Sequence, residues 1–78
     1  TIHKTEGVMV YPNPTEGNLY VDQKENDEFT IQIFNLSGYL ISEFRNQNSL
    51  DLSFMDTGFY ILHFKGNKTN YSVKFCKL

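Results

Sequence analysis

Alternation of apolar and polar positions is the dominant pattern in this chain, and it is clearest between residues 50 and 64. Leu50 and Leu52 alternate with Asp51 and Ser53, a period of two with one apolar face. Met55 adds an apolar side chain inside the following connection, where it is expected to plug the space under the turn. Gly58 supplies a position that adopts φ > 0 at little cost. Beyond it, Tyr60, Leu62 and Phe64 fall on one face, and Phe59, Ile61 and His63 on the other. A strand apolar on nearly both faces belongs inside a sheet, not at its edge.

The flanking segments follow the same period. Residues 1–7 carry no apolar periodicity and read as linker or as the frayed start of the domain. Residues 8–11 form the first strand candidate, which stops at Pro12-Asn13-Pro14. Proline lacks an amide donor and pushes the preceding residue toward extended conformations, so a stiff corner is expected there. Residues 15–18 read as a turn and 19–21 as a second strand. Residues 22–28 are polar and read as a solvated connection. Phe29, Ile31 and Ile33 then share one face of a strand over 29–34. Asn35-Leu36-Ser37-Gly38 is a hairpin turn with a return strand over 39–44. Residues 45–48 are loop, and 65–70 the last turn. In 71–75, Tyr71, Val73 and Phe75 face inward, and Ser72 and Lys74 outward. Lys77 lies past the expected end of that strand and is expected to be exposed.

About seven short strands, with Gly17, Gly38, Gly58 and Gly66 between them and no sustained helical period, predict an all-β protein. The fold class is a small immunoglobulin-like β-sandwich of about seven antiparallel strands over residues 8–78. Ile31, Ile33, Leu50, Leu52, Tyr60 and Leu62 are expected in one core.

Size and charge narrow the function. A chain of 78 residues is one domain at most. Its seven Phe and five Tyr bury much area per residue, which offsets the shortage of core positions. The single Cys excludes an internal disulfide. A net charge of −2 with scattered charges leaves no electrostatic footprint for nucleic acid. No apolar run approaches the roughly 18 residues that span a bilayer, and no signal-peptide pattern opens the chain.

Candidate chemistry is sparse. His3, His63 and Cys76 match no common zinc spacing, and no base or carboxylate lies in sequence beside Cys76 to make a nucleophile of it. Cys76 reads as a small apolar residue of the last strand. Asn26-Asp27-Glu28 lacks calcium-loop spacing and reads as solvated loop. The acceptor-like triplets starting at Asn35, Asn67 and Asn70 are assigned no function. No catalytic residue, metal site, cofactor or small-molecule substrate is expected. An exposed row of Tyr20, Phe34, Phe44 and Phe59 would instead favour a carbohydrate-binding module.

Four stretches resemble a known family. Tyr11-Pro12-Asn13-Pro14 looks like the opening motif of the C-terminal sorting domains of the type IX (Por) secretion system of Bacteroidota, type A. Asn35-Leu36-Ser37-Gly38 resembles the family's Asp/Asn-x-x-Gly turn. Leu50-Asp51-Leu52-Ser53 with Met55, Gly58 and Tyr60 resembles its most recognisable stretch. Lys74-Phe75-Cys76-Lys77, followed by Leu78, resembles its terminal Lys-aliphatic-aliphatic-Lys. Their order and spacing make the match specific. Met55 replaces a usual Leu, Cys76 a usual Val or Ile, and Phe75 is aromatic where an aliphatic is common. None of these changes removes an apolar site.

The resemblance implies an address label, not an enzyme. Such a domain follows a covalently linked upstream cargo and folds in the periplasm. The outer-membrane secretion machinery then reads it, and a sortase-like protease removes it near residues 1–8, leaving the cargo at the surface or outside the cell. It implies that Gly58, Tyr60, Lys74, Phe75, Cys76, Lys77 and Leu78 carry the recognition signal, with Tyr11–Pro14 as the opening motif. The competing readings are a small carbohydrate-binding β-sandwich and a spacer module.

Overall fold

The computed structural model describes residues 7–24 and 27–78. Seven strands run in chain order: β1 (Met9–Tyr11), β2 (Asn18–Asp22), β3 (Thr30–Asn35), β4 (Leu40–Arg45), β5 (Ser49–Asp51), β6 (Gly58–Lys65) and β7 (Asn70–Lys77). They form a three-stranded sheet, β1-β2-β5, and a four-stranded sheet, β4-β3-β6-β7. Every ladder between these strands is antiparallel. The arrangement is that of a seven-strand immunoglobulin-like sandwich whose fourth strand lies at the edge of the second sheet. His3, Asn26 and the start of the expected linker lie outside the described residues.

The period-two pattern of each strand becomes the sandwich interior. Leu19, Val21 and Leu50 from the first sheet meet Ile31, Ile33, Leu62, Phe64 and Phe75 from the second in one buried cluster. Tyr60, Tyr71 and Val73 pack against it while keeping some exposure. Phe29, just before β3, stacks on Phe64 with ring centroids 5.1 Å apart. β6 lies between β3 and β7, the interior position that its two-sided apolar character requires.

Residues 50–64 span both sheets. β5 pairs with β2, and β6 with β3 and β7. The connection between them therefore crosses from one sheet to the other. Leu52 and Met55 are buried within it. The Leu52 N–H donates to the Gly17 carbonyl at 2.6 Å, and the Met55 N–H to the Leu52 carbonyl at 3.0 Å.

The β3–β4 hairpin closes as its residues predict. Asn35 Oδ1 accepts from the N–H groups of Ser37 (3.0 Å) and Tyr39 (2.9 Å), and Gly38 sits at φ 94°, a value that favours glycine. The aromatic row is not present. Phe44 pairs with Ile31 and so shares its core-facing side. Tyr20 belongs to the other sheet from Phe34 and Phe59. A shared binding face fails because the sandwich turns these rings in three directions.

Leu62 is fully buried at the centre of β6. Leu62→Ala is expected to cost about 2–5 kcal/mol in a urea titration, enough to unfold much of so small a domain. Leu36→Ala, at a side chain that is 61% exposed, is expected to change stability by no more than about 0.5 kcal/mol.

Candidate functional site

The stretches that resemble sorting-domain motifs lie far apart in sequence and meet at one end of the sandwich. The terminal half of β7 is their common element. On one edge it pairs with the start of β6, in the register Gly58↔Lys77, Phe59↔Cys76 and Tyr60↔Phe75. The Tyr60 and Phe75 rings stack at 5.9 Å. The Tyr60 hydroxyl donates to the Asp56 carbonyl at 2.8 Å, which ties the crossing connection to the same place. Gly58 has φ 155°, where side chains are strained. A Cβ there would meet only Tyr60 Cε2 at 4.0 Å, so backbone conformation, not space, selects glycine.

On the other edge of β7 lies the Tyr-Pro-Asn-Pro segment. Asn13 Nδ2 donates to the Lys74 carbonyl at 3.1 Å, and the Cys76 N–H donates to Asn13 Oδ1 at 3.0 Å. One side-chain amide thus fills the place of a neighbouring strand's peptide group. The backbone takes over two residues later. The Thr15 N–H donates to the Cys76 carbonyl at 2.9 Å, and the Leu78 N–H donates to the Thr15 carbonyl at 2.8 Å. Thr15 and Lys77 form a parallel bridge. Pro12 and Pro14 have no N–H to offer a ladder, which is why a side chain has to complete the seam. Both prolines follow cis peptide bonds. With Thr15, Gly17, Tyr20 and Leu78 they line an open cavity of about 540 Å³.

Thr15 escapes the sequence reading, in which it is a turn residue. It is fully buried. Its hydroxyl accepts from the Gly17 N–H at 3.1 Å and donates to the Asn18 carbonyl. A Thr two residues before a Gly is the local signal for such a turn.

The expectation of an exposed Lys77 is wrong. β7 continues through Lys77, held between Gly58 and Thr15, and Lys77 keeps the inward direction of Tyr71, Val73 and Phe75. It is 6% exposed, and its Nζ donates to the Leu78 carbonyl at 2.9 Å. The aliphatic stem is buried with the amine brought back to the rim. Lys74 points outward as expected, its amine 5.2 Å from the centre of the Phe59 ring. Cys76, half-buried and free, sits on the same outer side. His63 bonds Ser72 through Nδ1 and Oγ at 2.7 Å, four residues along β7 from Cys76.

Asp51, at the end of β5, has a carboxyl held below its usual pKa by hydrogen bonds from the Ser53 side chain and N–H, the latter at 3.0 Å.

The secretion system C-terminal sorting domain family matches residues 9–77, from the first strand to the last. The chain belongs to this family. No curated protein matches it. Membership makes the chain a type IX secretion sorting signal, attached to a cargo that reaches the cell surface or the extracellular space. The sorting-domain family is not an enzyme family.

Three outcomes follow for this sorting domain. Asn13→Ala is expected to lower stability by about 0.5–1.5 kcal/mol, since two edge hydrogen bonds return to water. Gly58→Val is expected to cost about 1–3 kcal/mol by chemical denaturation. Asp51 contributes stability above its unfolded-state pKa, and that contribution is lost as pH falls through the lower folded-state value. Asp51→Ala should therefore flatten the acid limb of a stability-against-pH curve, read from urea midpoints.

Proposed function

We propose that the terminal half of β7, with the segments on its two edges, is the surface that the outer-membrane secretion machinery reads. The recognition residues are Gly58, Tyr60, Lys74, Phe75, Cys76, Lys77 and Leu78, with Tyr11, Pro12, Asn13 and Pro14 holding them from the other side. The observation that carries this reading is the convergence of Gly58 and Tyr60 from one edge and Asn13 from the other on the last residues of β7. Lys74 is the exposed cation of the set. Lys77 acts through its buried stem, so the two lysines have different roles.

In this reading residues 1–7 link the domain to its cargo and residues 8–78 are the sorting domain. The domain folds in the periplasm before the outer membrane is crossed, and a sortase-like protease cuts it from the cargo near residues 1–8. The domain itself is a substrate and a label and performs no catalysis. A carbohydrate-binding role lacks support because Phe44 faces the core and Tyr20 lies in the other sheet, which leaves only Phe34 and Phe59 on one face.

The test is a fusion of residues 1–78 to a folded reporter with an N-terminal signal peptide, in a host with type IX secretion. The reporter is expected at the surface or in the medium, and removal of residues 75–78 is expected to leave it in the periplasm. Lys74→Ala is expected to reduce export with an unchanged melting temperature, because exposed charges contribute at most about 1 kcal/mol. A periplasmic intact fusion contradicts the proposal.

A further inference from the structure

Among the described residues, the outer edge of β7 is filled only along its last residues. The Lys74 carbonyl, both polar groups of the Cys76 backbone and the Leu78 N–H point away from β6, toward Asn13 and Thr15. By the alternation of a strand, the Ser72 N–H and carbonyl and the Lys74 N–H point the same way. Among the described residues no strand pairs with β7 there, since its ladder partners are β6 and the single bridge to Thr15.

The other edges of the sandwich are blunted. β1 and β5 are three residues each. β4 pairs with β3 across a register shift between Ile33 and Phe34, and carries a Glu43–Arg45 pair at 3.9 Å. Short edges, bulges and charge pairs are the devices that discourage strand addition. β7 runs eight residues with unbroken register.

We propose that the Asn70–Lys74 edge of β7 takes an extended strand of a partner protein, in continuation of the seam that Asn13 and Thr15 begin. Side chains on either side specify the partner's chemistry. Tyr71 and Val73 pack against the core but stay half-exposed, so the partner's inward residues are apolar. Ser72 and Lys74 lie on the outer side. β6 and β7 carry Lys65, Lys74 and Lys77 and no carboxylate. The outward residue beside Lys74 is therefore acidic, an opposite-charge cross-strand pair. Main-chain hydrogen bonds supply affinity and these alternate positions supply specificity. That the secretion machinery is the source of this strand rests on the sorting reading; the edge itself does not.

The test uses a short acetylated and amidated peptide that alternates Val with Glu and Thr, titrated into the ¹⁵N-labelled domain. Saturable shifts at the Ser72 and Lys74 amides are expected. Ser72→Pro, which deletes one outward N–H, is expected to weaken binding about tenfold. Lys74→Glu keeps every backbone donor and is expected to weaken it about threefold by like-charge repulsion. This variant carries the test if Ser72→Pro fails to fold. In the secretion host, Lys74→Glu is expected to reduce export of the fusion. Peptide binding with a periplasmic intact fusion supports the edge and rejects the machinery as its partner. Unchanged amides at millimolar peptide overturn the proposal. So does self-association through the same amides without peptide, which makes the occupant a second copy.

Discussion

The organisation of this end of the sandwich depends on the short hydrogen-bonded seam between Asn13–Thr15 and Lys74–Leu78. A last strand with one free edge frays, because its terminal residues have hydrogen-bonded neighbours on one side only. Here the terminal residues have neighbours on both. The start of β6 lies on one edge and the proline-flanked segment on the other. That placement carries β7 through Lys77, turns the lysine stem inward and leaves Lys74 exposed beside Phe59. The seam is also selective. Its components are one carboxamide and the backbone N–H and carbonyl of one residue, so a change of a few atoms at Asn13 removes half of it.

Much of the fold was legible because the period of two is unbroken. Ile31, Ile33, Leu50, Leu52 and Leu62 stand at alternate positions, and each is fully buried. Asn35 and Gly38 marked a turn by their own chemistry, a side-chain acceptor and a positive φ. The end of the sandwich that holds the proposed site was less legible. Asn13 and Cys76 are 63 residues apart and meet through a side chain, which no local period records. Lys77 was misread because the last strand was expected to end before it, whereas β7 runs through Lys77. The odd-numbered positions of β7 continue inward to Lys77, and a four-carbon stem lets a cation obey that pattern. Which face Phe44 takes was not legible, because the register that sets it opposite Ile31 comes from the pairing of β4 with β3.

In the proposed reading the same seam joins fold to function. A sorting signal has to be presented in one shape, and a domain of 78 residues has little stability to spare. Joining the first strand's exit to the last strand's end places the family's two terminal motifs in one hydrogen-bonded unit. Their separate appearance in the sequence conceals a single structural element. The crossing connection adds a third component, since Tyr60 bonds Asp56 and stacks on Phe75.

Amide hydrogen exchange by NMR tests the seam most directly. The N–H groups of Ser72, Lys74, Cys76 and Leu78 all point away from β6, and among the described residues only the last two have acceptors, in Asn13 and Thr15. Cys76 and Leu78 are predicted to exchange at least about tenfold more slowly than Ser72 and Lys74, relative to their intrinsic rates. Equal exchange at all four amides would contradict the account, because the terminal strand would then have one bonded edge and not two.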